Sequence, residues 1–103
     1  MISTIVQFKL PSPISRVKAQ EVFMGTAPKY RESAGLIRKY YLLSDDGSTG
    51  GGVYLWQSRE HAQSWFTPQW REHILRTYDA EPQIQYFETP VVVDNVTGNI
   101  EKD

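Results

Sequence analysis

The chain has 103 residues, 40% of them hydrophobic and 22% charged, which suits one ordinary globular domain rather than a disordered chain. A net charge of −1 gives no basic footprint for nucleic acid, and the absence of cysteine excludes disulfides, thiol catalysis and cysteine-held metal. No apolar run approaches the roughly 18 residues of a membrane span, and Met1-Ile2-Ser3-Thr4 lacks a basic signal-peptide start, so a cytoplasmic protein without membrane contact is expected.

From Ile2 to Leu10 the residues alternate. Ile2, Thr4, Val6, Phe8 and Leu10 share one face, which predicts a half-buried first strand ended by Pro11-Ser12-Pro13. Ala19, Val22, Phe23, Thr26, Ala27 and Tyr30 then recur at helical spacing and form one stripe. Pro28 removes a helical hydrogen bond, so a kink or break near Ala27 is expected. In the second strand, Leu36 to Ser44, Leu36, Arg38, Tyr40 and Leu42 alternate with Ile37, Lys39, Tyr41 and Leu43. Both faces are mixed, so periodicity does not say which one meets the helices. Asp45 to Thr49 turns the chain back. Gly50-Gly51-Gly52 are read as finishing that loop, with close approach of a backbone or ligand as the alternative. The short apolar run Val53-Tyr54-Leu55-Trp56 reads as a central strand.

Ser58 is a candidate N-cap, and Thr67-Pro68 restarts a helix with threonine as cap and proline in the first turn. Trp70, Ile74 and Tyr78 line one side of that helix, flanked by His73 and Thr77, while His61 is expected on an exposed turn. Asp79 to Pro82 ends the helix, and Gln83 to Glu88 alternates as a last strand. The chain from Asp94 is polar and is expected to be loosely held.

The order strand, helix, two strands, broken helix, strand is a ferredoxin-like α+β domain: βαββαβ, with a four-stranded antiparallel sheet and helices on one face. It is expected to occupy residues 1–95 as a single domain, with 96–103 as the tail. Ile5, Val53, Leu55 and Phe87 put apolar residues on the other face too, and a second copy of the chain is the simplest cover. Val91-Val92-Val93 is expected to reach that partner.

Gly35-Leu36-Ile37-Arg38-Lys39-Tyr40-Tyr41 and Gly51-Gly52-Val53-Tyr54-Leu55-Trp56, with the spacing between them, resemble the YdhR-type monooxygenase family. These are small proteins of the dimeric α/β barrel superfamily, which also holds the antibiotic-biosynthesis monooxygenases. The resemblance runs from strand one to about Asn95. It implies a homodimer with facing sheets, a pocket between sheet and helices, and oxygenase activity.

The residues themselves supply an unusual number of aromatic side chains, each an apolar body with a polar tip, which suits a flat, partly oxygenated aromatic ligand. Phe8, Tyr40, Trp56, Trp65, Trp70 and Tyr86 are the candidate substrate-binding residues. His73, Tyr54 and Arg38 are the candidate catalytic ones: His73 to accept a proton, Tyr54 to donate a hydrogen bond and Arg38 to hold an anion. The plainer and favoured reading of His73 is a helix histidine bonded to a backbone carbonyl, and Arg38 reads as easily as a surface charge. No nucleotide or flavin motif is present, and neither histidine has a partner at metal-ligand spacing, so no cofactor or metal is expected. Three functions follow. The first is a cofactor-independent monooxygenase acting on a small phenolic or quinol-like substrate. The second is a non-catalytic small-molecule-binding or stress-response protein. A haem-degrading oxygenase ranks last, since strand one offers only Gln7 where superfamily relatives use an Asn.

Overall fold

A computed structural model describes residues Met1–Asp103. Strand β1 (Ile2–Lys9) is followed by helix α1 (Arg16–Arg31), strands β2 (Leu36–Leu43) and β3 (Thr49–Trp56), helices α2 (Arg59–Trp65) and α3 (Pro68–Tyr78), and strand β4 (Gln83–Glu88). A further pair, β5 (Val91–Asp94) and β6 (Asn99–Lys102), closes the chain. The first four strands form one antiparallel sheet in the order β2-β3-β1-β4, the ferredoxin-like arrangement that the element order predicts. No helix is long and apolar enough to cross a membrane.

The core lies between the sheet and the helices. Ile2, Val6, Phe8 and Leu10 of the first strand's predicted face pack with Tyr54, Trp56, Ala62, Phe66 and Ile74. Thr4 shares that face and is fully buried, and its hydroxyl accepts the Trp56 indole N–H at 3.0 Å. Two polar groups thus satisfy each other where either alone would be costly. The helix starts follow their caps. The Ser15, Ser58 and Thr67 hydroxyls accept from the backbone N–H of Lys18, His61 and Trp70, and Pro68 occupies the first turn of α3. Asp79 ends α3 in the left-handed conformation, φ 56°.

Five expectations are corrected. Helix α1 is not broken near Ala27 but runs on to Arg31 with Pro28 inside it. Pro28 is exposed and close to the helix end, where water reaches the carbonyl that it leaves unpaired. The glycines do not belong to the loop: Gly50, Gly51 and Gly52 are paired residues of β3. The loop before them is built by Asp46, whose carboxylate accepts from the Ser44 hydroxyl and from the Ser48 amide and hydroxyl, with Gly47 at φ 74°. Those bonds hold Asp46 down at about 2. His61 is not on an exposed turn but in the first turn of α2. There it is half-buried against Gly35, its Nδ1 2.7 Å from the Ser58 hydroxyl.

The fourth correction concerns the faces of β2. Its pairing with β3 slips between Leu36 and Arg38, so Ile37 is an extra residue in the strand. Beyond this bulge Lys39, Tyr41 and Leu43 join Leu36 on the helix side, while Arg38, Tyr40 and Leu42 face away. Strict alternation would have grouped Leu36 with Arg38 and Tyr40.

The fifth concerns the residues expected as a loose tail. Val91–Asp94 and Asn99–Lys102 pair as a hairpin. The Asp94 carboxylate accepts the Val96 amide at 3.0 Å, and Gly98 (φ 78°) completes the turn. The hairpin leaves Val91, Val93 and Ile100 exposed, and the Asp103 carboxylate pairs with the Met1 ammonium.

Candidate ligand cleft

Helices α1 and α3 part over the middle of the sheet and leave a cleft of about 390 Å³. Phe23, Thr26 and Tyr30 of α1 form one wall, and Trp70, His73 and Tyr78 of α3 form the other, with Trp65 from α2. Phe8, Gly51, Tyr54, Lys39 and Tyr41 come from the sheet. The walls are packed rings: Phe8 stacked on Tyr78 at 4.3 Å, Phe23 stacked on Tyr41 at 4.7 Å and Tyr30 tilted against Trp65 at 4.8 Å between centroids. Polar tips tie them in place. The Thr26 hydroxyl and the Tyr41 phenol are 2.7 Å apart, and the Trp70 indole N–H donates to the Tyr30 phenol oxygen at 3.3 Å. These contacts fix aromatic edges around the opening without filling it.

Of the nine residues singled out from the sequence, Phe8, Tyr54, Trp65, Trp70 and His73 line this cleft. The other four do not. Trp56 is sealed in the core behind Tyr54 and spends its N–H on Thr4. Tyr86 lies opposite Thr4 on the edge strand β4, beneath the Arg59 guanidinium at 5.1 Å. Arg38 and Tyr40 are on the outer face, where the Arg38 guanidinium donates to the Tyr40 phenol at 3.2 Å. The Ile37 bulge put them there, so Arg38 is not available to an anion in the cleft. His73 is exposed at the mouth.

The residue that sequence reasoning missed is the next one along. Lys39 lies directly opposite Tyr54 in the sheet, with its ammonium over three rings: 3.2 Å from the Tyr30 centroid, 3.8 Å from Tyr41 and 4.6 Å from Tyr54. No carboxylate lines the cleft and Lys39 makes no ion pair. Burial therefore pulls it down to about 7. Burial pushes the Tyr54, Tyr41 and Tyr78 phenols up, Tyr54 most strongly, so they stay protonated donors throughout the ordinary pH range.

The inward glycine of β3 makes room for this lysine. A Cβ at position 52 would sit 3.1 Å from the Lys39 Cε and 3.2 Å from the Tyr54 ring. The close approach weighed as the alternative reading of the glycines is present and is made by neighbouring backbone. A Cβ at position 51 would run into the Val6 carbonyl oxygen, and one at position 52 would lie 3.0 Å from the Tyr40 carbonyl oxygen, beside the Lys39 stem. A second feature went unread: the Trp65 indole N–H is buried and has no acceptor in the protein. Such a donor is costly unless a ligand or water takes it.

A wider groove of about 770 Å³ runs between α1 and the end of β2, bounded by Asp45, Asp46 and Gly47. Its carboxylate Asp46 is already spent on the loop, and it lacks the tryptophans and Lys39. The amine without a counter-charge, Lys39, lies in the smaller cleft.

The fold and cleft define a ferredoxin-like α+β protein with an aromatic pocket between sheet and helices. The chain belongs to the family described as "Putative mono-oxygenase ydhR", which it matches over residues 4–89. No curated protein sequence matches it. Among solved structures it is similar to a monooxygenase from the gene ActVA-Orf6 of Streptomyces coelicolor, in complex with the ligand nanaomycin D. The TM-score is 0.62 at 21% identity, over 85% of this chain and 86% of that one. It is also similar to SnoaB, a cofactor-independent oxygenase from Streptomyces nogalater, with TM-score 0.61 and 16% identity over 85% and 91% of the two chains. A "putative antibiotic biosynthesis monooxygenase" from Deinococcus radiodurans gives TM-score 0.66 at 12% identity, over 91% and 97%. At these identities the likeness is one of fold.

Proposed function

We propose that this protein oxidises a small phenolic or quinol-like aromatic compound with O2 in the α1–α3 cleft, using no metal or organic cofactor. The observation that carries this reading is the cleft itself, a ring-walled opening that contains an unpaired amine and is bordered by Trp65, whose buried indole N–H has no partner. Family membership supports the oxygenase chemistry, and two fold relatives supply the precedents of a bound small molecule and of cofactor independence.

Ground-state O2 is a triplet and reacts slowly with closed-shell molecules, but an electron-rich phenolate or carbanion can reduce it directly. The protein then has to exclude water, hold the ring and steady the anion with fixed donors. Phe8, Trp70 and Tyr54 supply dry walls, the Tyr54 phenol and Trp65 indole supply donors, and His73 at the mouth passes a proton to solvent. The balance closes without an external reductant. A ring CH2 becomes C=O and loses four electrons; one oxygen atom stays as the carbonyl and the other leaves as water. Gln7, the strand-one amide, is exposed on the opposite face of the sheet and has no part in this.

The active unit is a homodimer. Ile5, Val53 and Leu55 are half-buried in one chain, and Phe87, Leu42 and Tyr40 are exposed beside them on the face that no helix covers. Burying that face contributes roughly 25 cal/mol per Å² of apolar surface. Light scattering should give twice 11.9 kDa at micromolar concentration; a monomer rejects the dimer. Deletion from Val91 should weaken it.

The test of the reaction is oxygen uptake by chelator-treated protein with anthrone or a quinol, beside a variant carrying Tyr54→Phe and His73→Ala. One O2 consumed per ketone formed, faster in the wild type, is expected. If both proteins match the uncatalysed rate while the compound still binds, the oxygenase reading falls and a binding protein remains.

A further inference from the structure

Lysine is the residue whose burial without a counter-charge most needs a reason. Lys39 is held in that condition by several independent features. The bulge at Ile37 turns it inward, Gly52 leaves space for its stem, and the rings of Tyr30, Tyr41 and Tyr54 surround its ammonium. None of the flanking elements offers it a carboxylate. The titratable and charged groups around the cleft are Tyr30 and Lys29 from α1, Tyr41 and Tyr54 from the sheet, and His73 and Tyr78 from α3. Tyr30 carries the Lys39 ammonium on its ring and packs its ring against Trp65, whose N–H is unpartnered. A ligand oxygen at this corner meets the Lys39 amine, which no carboxylate of the cleft partners.

We propose that Lys39 takes the proton from an acidic phenol or enol in the cleft and then, as an ammonium over the Tyr30, Tyr41 and Tyr54 rings, holds the anion it has made. The amine lone pair forms the new N–H bond, the O–H bond breaks, and its electron pair stays on the ligand oxygen. The tyrosine faces stabilise the cation that results. Titration of Lys39 near neutrality matches its amine to this task. The inference rests on the cleft being a phenol site, as read above, and not on the oxygen chemistry.

The probe is a nitrophenol whose solution pKa lies about one unit above the working pH, because its anion absorbs visible light and its neutral form does not. On the wild-type protein at about pH 8 we expect at least about half of the bound nitrophenol to be anion, at least a tenfold rise in the anion-to-neutral ratio over solution, with no net proton released. Lys39→Met should abolish the rise. Lys39→Arg keeps the charge but has no free base, so it should bind the anion and release one proton to the buffer. NMR titration of the Lys39 Cε in the unliganded wild type needs no variant, and its midpoint should lie well below those of the other lysines. Neutral nitrophenol on the wild type, an unchanged ratio in Lys39→Met, or a Lys39 midpoint among the surface lysines overturns the proposal. Coloured anion without O2 uptake leaves Lys39 in its role and removes the oxygenase reading. Unimpaired O2 uptake in Lys39→Met does the reverse.

Discussion

Arg38 and Lys39 are neighbouring cations on one strand, and the fold treats them in opposite ways. Arg38 lies on the outer face, clear of the cleft, its guanidinium donating to the Tyr40 phenol. Lys39 is drawn among rings where water is scarce and no carboxylate answers it. Residue type alone favours arginine as the anion-holding group, since it is never deprotonated and binds carboxylates with two N–H groups. The strand decides otherwise, because one extra residue at Ile37 sets which cation is inside. A group at the wrong face of a sheet is chemically absent from the pocket however well its type suits the chemistry.

The contrast is sharpest in stability. Lys39→Met removes a charge whose burial moves it from 10.5 to about 7, and the ring contacts return only part of that cost. The variant should be about 2–4 kcal/mol more stable at pH 7 by denaturant unfolding. Arg38→Met should show no such gain, since the Arg38 guanidinium donates to the Tyr40 phenol on the outer sheet face and is not drawn among the cleft rings. A loss of stability in Lys39→Met would mean that the cage holds the fold together.

The pH dependence comes next. Between about 7 and 10.5 the unfolded chain carries a proton on Lys39 that the folded chain lacks, so wild-type stability should rise with pH through this window, by up to about 1.4 kcal/mol per unit. Below about 7 both states hold the proton and this contribution is flat. Above about 10 the slope reverses, because Tyr54, Tyr41 and Tyr78 ionise in the unfolded chain before they do in the folded one. Lys39→Met should lose the rise and keep the fall, as unfolding across the pH range would record.

A smaller effect is expected at Gly52. In Gly52→Ala the new methyl group meets the Lys39 stem and the Tyr54 ring at 3.1 and 3.2 Å. Crowding should destabilise the protein by about 1–2 kcal/mol and move the Lys39 titration toward that of a surface lysine as its ammonium is displaced. The smallest concerns the ligand: Arg38→Met should leave nitrophenol affinity as in the wild type, measured by titration.

Much of the frame was legible in the sequence because each signal there has one physical meaning. The alternation Ile2-Thr4-Val6-Phe8-Leu10 fits only one buried face, and that face is buried throughout. Ser58 and Thr67-Pro68 start helices where their chemistry says they should. The site was half legible. Phe8, Trp65, Trp70 and His73 were within reach because they belong to a strand and helix stripes whose inner side could be assigned, whereas Tyr54 sits in an apolar run that does not say which sheet face it takes. Arg38, Tyr40 and Lys39 were not, because β2 is amphipathic on neither face and a bulge leaves no mark in composition. The β5–β6 hairpin hid for a similar reason. Its turn is made by Asp94 and Gly98 across three ordinary residues, and its strands are too exposed to show a pattern.

The three tryptophans give the molecule a use that does not depend on its chemistry. Trp56 is wholly enclosed and tied to Thr4, whereas Trp65 and Trp70 border the cleft. A compound entering there should quench the emission of two and leave the third as a steady reference. The wavelength of that residual emission would report whether the core stayed shut. With Trp65→Phe and Trp70→Phe made singly, the same spectrum would say on which side of the opening the compound lies, before any crystal is grown.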